Sequence, residues 1–167
     1  MLNNLSNTKI LGIILTGLLV ISVLIGVLQF NKNKDISMRL NQKAPLPENI
    51  QLDMTSTSPH KDLIGVWEGI WEERNPDIAM TSSFVIKDID KNGYANVVYS
   101  WGDNENLLIT KGFVETVATI KEGTIDVKLG QPLKFTLLVE EVGGIVQLRG
   151  IFDNGYATVG GIFKKSQ

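Results

Sequence analysis

The chain has 167 residues, 43% of them apolar, and a formal net charge of −2, which fits one modest globular domain plus an unusually hydrophobic segment. It contains no cysteine, which excludes disulfides, thiol catalysis and a lipid-modified cysteine. From residue 63 onward there are 10 Lys and Arg against 14 Asp and Glu, a net charge of −4. This balance argues against nucleic acid as a partner, because phosphate would be repelled on average.

The hydrophobic segment is residues 10–30, ILGIILTGLLVISVLIGVLQF, and it carries no charge. A helix rises about 1.5 Å per residue, so this segment is long enough to cross the ~30 Å hydrocarbon core of a membrane. Following a short N-terminal tail, residues 1–9, it predicts a single-pass transmembrane helix with the lipid bilayer as its partner. The alternative is a cleaved signal peptide, but the run is longer than such a peptide needs and no A-x-A-like cleavage site comes after it.

Two features of the residues that flank this segment predict opposite orientations in the membrane. Only one basic side chain precedes it, whereas four lie closely after it: Lys32, Lys34, Arg39 and Lys43. The positive-inside rule would therefore place the C-terminal domain in the cytoplasm. A short tail directly before an apolar run is instead typical of a signal anchor that exports the C-terminal domain. We expect an extracytoplasmic domain in a membrane protein.

Residues 31–62 are polar, contain three of the five prolines and show no sustained apolar period, which predicts a linker. The only histidine, His60, lies in this stretch, and we expect it to be solvated. A Ser-His-Asp arrangement would need that histidine, so none is expected within the C-terminal domain, residues 63–167.

From residue 63 onward the apolar residues recur with period two. In YANVVYSW, for example, one face carries Ala95, Val97, Tyr99 and Trp101, as in a half-buried strand. The pattern repeats about eight times without a helix-length interruption. The tetrapeptide NGYA occurs at 92–95 and at 154–157, where Asn-Gly predicts a type I′ hairpin corner, since both central residues of that turn need positive φ. KEGTI and EVGGIV predict further corners of an antiparallel meander.

The predicted fold class is therefore all-β, an antiparallel meander of about eight strands. Such short strands must protect their edges, and closure into a barrel does so. A β-sandwich is the alternative. The interior of an eight-stranded barrel is either filled by its side chains or holds one small ligand.

The first predicted strand carries a resemblance to a known family. GVW at residues 65–67 resembles the G-x-W signature at the start of the first strand in lipocalins and related calycin barrels. The longer GVWEGIW, together with VVYSWGD, is similar to small, mostly uncharacterised bacterial domains with a GxWxGxW opening. The resemblance covers roughly residues 63–165, although no counterpart of the lipocalin T-D-Y turn is present. It implies a lipocalin-like barrel, with binding of a small hydrophobic molecule as one family option.

Four aromatic residues form the candidate ligand-binding face: Trp67, Trp71, Tyr99 and Trp101. Alternation places Trp67 and Trp71 on one face of their strand, with Gly69 between them and Glu68 on the other face. The glycine relieves crowding and allows a backbone or a ligand to approach closely. The alternative is that these rings fill the barrel, the commoner fate of large aromatic residues.

One stretch, DIDKNG at residues 88–93, matches the opening of a calcium loop. A calcium loop of that type needs an acidic residue at its twelfth position, where this chain has Tyr99 inside a predicted strand. Turn formation explains the stretch better. We therefore expect neither a metal ion nor another cofactor.

Catalysis by paired carboxylates remains an alternative function. Glu68 or Glu72 could act with Asp103 or Glu105 to hydrolyse a glycan, if two of these carboxylates lay about 5 to 9 Å apart. The sequence favours instead a non-catalytic, membrane-anchored barrel that binds a small apolar ligand or an envelope protein. A purely structural accessory domain is the third interpretation.

Overall fold

The structure, a computed structural model, describes residues 4–72, 74–130, 133–153 and 158–166, with the side chains of the N-terminal helix described from residue 21 onward. The chain divides into two compact units, Met1–Met38 and Arg39–Gln167. Helix α1 spans Asn4–Leu40 and provides the first unit. The helix contains the whole apolar segment, which ends at residue 30, and continues for ten more residues.

Among the described residues, no helix is both long enough and apolar enough to cross a bilayer. The first half of the predicted span, residues 10–20, lies outside the described side chains.

The second unit is a closed barrel in which each strand pairs with its sequence neighbours and the last strand pairs with the first. All pairs are antiparallel. The predicted all-β meander of eight strands, closed as a barrel, is confirmed. The strands are β1 Gly65–Trp71, β2 Met80–Ile89, β3 Tyr94–Trp101, β4 Gly112–Lys121, β5 Thr124–Lys128, β6 Lys134–Val142, β7 Ile145–Asp153 and β8 Thr158–Lys165.

The two ends of the barrel differ. At the turn end, short turns join β2 to β3, β4 to β5 and β6 to β7, and a single 3₁₀ turn, Lys61–Leu63, precedes β1. At the loop end, longer connections leave β1, β3 and β5, at residues 72–79, 102–111 and 129–133. The second predicted NGYA corner falls on residues 154–157, which lie outside the described residues.

The first NGYA corner forms a turn of a different type from the prediction. Gly93 has φ 83°, as expected, but Asn92 is not among the described residues with positive φ, so the turn is not type I′. The Asp90 side chain explains this turn, because its Oδ1 accepts the backbone N–H groups of Asn92 and Tyr94 at 2.8 and 2.9 Å. Positive φ at both central residues occurs instead in two other turns, at Glu122–Gly123 and Gly143–Gly144.

Residues 41–60, part of the predicted linker, form an outer segment that lies along the barrel wall. The backbone N–H of Asp53 donates to the Lys87 carbonyl at 2.8 Å, and the Ser56 hydroxyl donates to the Ile89 carbonyl at 2.8 Å. Beneath this segment, outward-facing residues of β2 and β3 are buried, including Val85 and Val98, both 0% exposed. The two strands that it covers therefore carry apolar residues on both faces.

Candidate functional site

The inward face of β1 carries Trp67, Gly69 and Trp71, as predicted, and both tryptophans are buried. Glu68 points outward, where its carboxylate forms an ion pair with Lys43 at 2.9 Å. A Cβ on Gly69 would collide with the backbone carbonyl of Ile162 in β8. The glycine between the two indoles thus permits the close approach of strands that closes the barrel.

Trp67 occupies the turn end and is only 1% exposed. Its Nε1 donates a hydrogen bond of 2.8 Å to the Leu63 carbonyl in the preceding 3₁₀ turn. The ammonium of Lys165 lies 5.6 Å from the centre of its ring, on the other side of the closure between β1 and β8. These contacts make Trp67 a structural residue that closes the turn end.

Trp71, by contrast, belongs to a cluster of rings nearer the loop end. Its ring stacks on Phe135 with centroids 5.2 Å apart and meets Phe163 edge-on at 5.0 Å. Phe135 in turn lies 4.5 Å from Tyr99 and 4.7 Å from Phe152. Phe84 also joins the cluster through Tyr99, Phe135 and Phe163. The phenylalanines thus supply most of the ring contacts, although they were not among the candidate site residues.

A short hydrogen-bonded chain runs through these rings. The Nε1 of Trp71 donates to the Tyr99 hydroxyl at 3.1 Å, and the Ser82 hydroxyl lies 3.4 Å from the same oxygen. Burial raises the pKa of the Tyr99 phenol, because it disfavours the phenolate, and the hydrogen bonds with Ser82 and Trp71 oppose this rise only in part. Tyr99 is therefore neutral at physiological pH and satisfies a buried indole N–H.

The structure brings three of the four predicted site residues together. Trp71 bonds to Tyr99, and Tyr99 lies 5.5 Å from Trp101 between ring centres, whereas Trp67 belongs to the opposite end. Trp101 is only partly buried and stands at the loop-end rim, with its Nε1 donating to the Thr110 carbonyl at 2.9 Å. The predicted face is thus a buried ring cluster that reaches solvent at Trp101, and at the partly buried Phe152.

Beside Trp101, the hairpin of β3 and β4 exposes a group of apolar side chains at the loop end, the rim group: Leu107, Leu108, Phe113 and Val114. Leu108 is 93% exposed and has φ 54°, a conformation that a leucine rarely adopts. Sequence reasoning missed this group. The signal that could have found it is the apolar run Leu107 to Ile109 inside the loop GDNENLLITK.

The rim group stands on a well-bonded loop. The buried Asn104 donates from Nδ2 to the Ala79 carbonyl at 3.1 Å, and its Oδ1 accepts the Leu107 N–H at 3.1 Å. Asn106 donates to the Asp77 carbonyl at 2.7 Å, which links the loop to the neighbouring connection. The loop therefore holds Leu107 and Leu108 in a fixed position.

Three of the four candidate carboxylates, those of Glu68, Glu72 and Asp103, have a hydrogen-bonding role. Besides the Glu68 ion pair, Glu72 Oε1 accepts the Gly160 N–H at 3.4 Å, and Asp103 Oδ1 accepts the Lys111 N–H at 2.8 Å. Asp88 of the calcium-like stretch accepts from the Asn96 amide at 3.0 Å. Within the described ranges, no group of three or more acidic or histidine side chains could hold a metal ion.

No protein-family model matches this chain, and no match was found among curated proteins or among solved structures. The closed eight-stranded barrel is thus established by the structure alone, without support from a relative.

Proposed function

We propose that this protein is a membrane-anchored, non-catalytic interaction module that binds a partner protein through the loop end of its barrel. The main observation behind this proposal is the exposure of the rim group, in which Leu108 is 93% and Phe113 48% exposed to solvent. Large exposed apolar side chains cost solubility, and several of them at one end of a domain commonly mark an interaction site. The bonded loop supports this assignment, because a rigid rim loses little conformational entropy when it binds.

The ring cluster gives this rim a rigid base. Trp71, Tyr99 and Phe135 are buried and in mutual contact, so the interior near the loop end is packed with rings. A packed interior directs binding to the surface of the rim. The exposed edges of Trp101 and Phe113 supply the large apolar contacts that dominate many protein interfaces.

The anchor is the uncharged segment at residues 10–30, which lies inside the continuous helix α1. At about 1.5 Å per residue it has the length of a bilayer core, and the polar residues after it separate it from the barrel. The short N-terminal tail favours export of the barrel, so the proposed partner is an envelope protein.

The rim is tested with the full-length protein purified from its native membranes in mild detergent. Phe113→Lys should remove at least one co-purifying protein while leaving the thermal unfolding midpoint nearly unchanged, because Phe113 is half exposed. Val142→Lys is the matched control, since Val142 is a comparably exposed apolar residue at the turn end. The same set of co-purifying proteins from the parent and both variants would overturn the proposal.

The anchor is tested by washing membranes with alkaline carbonate, which releases peripheral proteins. The full-length chain should stay in the pellet, whereas a chain that starts at Arg39, the beginning of the second unit, should be released. Recovery of the full-length chain in the wash would contradict the proposed membrane anchor. An alkaline phosphatase fusion at the C-terminus should be active if the barrel is exported, and an inactive fusion would reverse the orientation.

A second candidate function is binding of a small apolar molecule, as the resemblance to lipocalins implies. The observation that favours it is that the ring cluster reaches solvent at Trp101 and Phe152, both only partly buried. An environment-sensitive apolar dye should then bind the folded protein, and Trp101→Ala should weaken its binding without unfolding the barrel. The absence of dye binding to the parent would exclude this function.

A further inference from the structure

Strand β4 pairs over most of its length with β3 but over only half of it with β5. With β3 it pairs from Gly112 to Thr119, whereas with β5 it pairs only from Val117 to Lys121, because β5 ends at Lys128. The part of β4 from Gly112 to Thr116 therefore has no strand partner on its β5 side within the described part of the chain. We call this stretch the open edge.

The pairing pattern shows which backbone N–H and C=O groups of the open edge point away from β3, toward the side where β5 would pair. The Ile120 N–H donates to the Gly93 carbonyl, so the backbone groups of Ile120 point toward the β3 side. These directions alternate along an antiparallel strand, so the groups of Phe113 and Glu115 point toward the β5 side. No described backbone group outside β4 bonds to either residue on that side.

The side chains of the open edge are apolar on both faces. Phe113 faces outward and is 48% exposed, and Val114 faces inward, opposite Tyr99, yet is 36% exposed. An inward residue of a closed barrel is normally covered, whereas Val114 has no strand beside it among the described residues and is partly exposed. Exposed unpaired edges favour strand addition, so proteins normally protect them.

Two carboxylates beside the open edge already lie close to lysines. Glu115 bonds to Lys87 at 2.7 Å, and Lys111 lies 3.9 Å from Asp103. The ends of the edge are also closed, since Val117 pairs with Lys128 and the Lys111 N–H is bonded to Asp103. The closed ends and the apolar side chains of the open edge favour an occupant that is short, apolar and able to supply backbone N–H and C=O groups.

We propose that the open edge of β4 binds an extended, apolar peptide segment of the partner protein, which adds to the barrel as an antiparallel strand opposite Gly112–Thr116. This inference rests on the proposed function, and it states how the partner is recognised. Phe113 and Glu115 each exchange backbone hydrogen bonds with the added strand, as in other cases of strand addition. Alternate side chains of the peptide lie beside Phe113 on the outside and beside Val114 toward the ring cluster.

The probe for this inference is a capped pentapeptide of alternating threonine and valine, added to the full-length protein in detergent. Its matched control is the same peptide with every backbone nitrogen methylated, which removes the N–H donors. At a peptide concentration ten times the dissociation constant, hydrogen exchange at the Phe113 and Glu115 amides should slow about tenfold. The amide of Val114, which points toward β3, should change little.

Two variants separate strand addition from side-chain binding. Glu115→Pro removes an N–H that faces the open side, a position where an edge strand tolerates proline, so the barrel should fold but lose the peptide. Glu115→Gln removes the same charge and keeps the N–H, so it should still bind. Unchanged exchange at Phe113 and Glu115 with the unmethylated peptide, or equal protection by both peptides, would overturn the inference.

These outcomes are distinguishable from failure of the proposed function. If Phe113→Lys removes the co-purifying protein while the pentapeptide protects neither amide, the rim binds its partner without strand addition. If the peptide protects both amides but no protein depends on Phe113, the open edge binds a strand and the rim proposal fails.

Discussion

The two ends of this barrel are built from different side chains. At the turn end, the core is mostly aliphatic, and Leu63 and Ile64 are buried where the chain enters β1. At the loop end, aromatic rings fill the interior, and the rim group stands exposed above them. Short turns need few residues and bury little apolar surface, whereas longer loops can hold side chains away from the wall.

The difference shows that, even in one small domain, the residues that close the barrel can be distinct from those that expose apolar surface. Exposed apolar residues also occur at the turn end, where Val142 and Ile145 flank the Gly143–Gly144 turn. That tip has only shorter unpaired stretches beside it, because β6 pairs with β5 as far as Leu138 and β7 pairs with β8 from Gln147 onward. The loop end differs in that its longer open edge, Gly112–Thr116, lies beside the ring cluster.

The largest expected loss of stability comes from replacing one of the two tryptophans at opposite ends of the barrel, Trp67. Trp67→Ala should cost about 3 to 5 kcal/mol, because it leaves a void in a fully packed site. Trp101→Ala should cost clearly less, since Trp101 is already partly exposed at the rim. Urea unfolding of both variants measures this, and equal losses would show that the rim is as tightly packed as the turn end.

A smaller effect is expected at two glycines of the turn end. Gly93 and Gly123 both have positive φ, at 83° and 77°, but only at Gly93 would a Cβ collide with a backbone atom, the Ile120 carbonyl oxygen. Gly123→Ala should cost about 1 to 2 kcal/mol from its backbone conformation alone, and Gly93→Ala should cost more. Thermal unfolding of the pair checks the order, and the reverse order would contradict the turn geometry.

Within the ring cluster, Tyr99→Phe should destabilise by about 1 to 3 kcal/mol, because it leaves the Trp71 indole N–H without its acceptor. The parent should also lose stability as the pH rises above about 10, where the unfolded tyrosine ionises but the buried one, with its raised pKa, does not. Unfolding measured between pH 9 and 11 should show a shallower loss in the variant. If stability fell equally steeply with pH in the parent and in the variant, Tyr99 would be solvated in the folded state.

The smallest effect on stability is expected at the rim itself. Leu108→Asn should leave stability unchanged or raise it by up to about 1 kcal/mol, because asparagine tolerates the left-handed conformation of this residue better than leucine. The same variant should weaken partner binding. A clear loss of stability in Leu108→Asn would show instead that this leucine is held by contacts of its own.

Much of the fold could be predicted from the sequence, because period-two alternation and glycine corners are local signals. The inward positions of Trp67, Trp71 and Tyr99 followed directly from that alternation and are confirmed. The separation of Trp67 from Trp71 could not be predicted, because it depends on which rings of β6, β7 and β8 lie opposite each indole. Those neighbours are set by strand register around the whole barrel.

The candidate site was harder to predict than the fold. The rim group depends on a loop in which Asn104 and Asn106 bond to residues more than twenty positions away. The open edge results from a difference in length between β4 and β5, which a pattern of apolar residues does not specify. The type of the Asn92–Gly93 turn was predicted wrongly for a similar reason, since the Asp90 side chain decides it.

The most direct test of the difference between the two ends is site-specific photo-crosslinking of the full-length protein in living cells. A photoreactive amino acid replaces Leu108 at the loop end in one variant and Ile145, 65% exposed at the turn end, in the other. We predict a discrete protein adduct at position 108 and none at position 145. A protein adduct at position 145 alone, or none at either position, would contradict a partner-binding loop end.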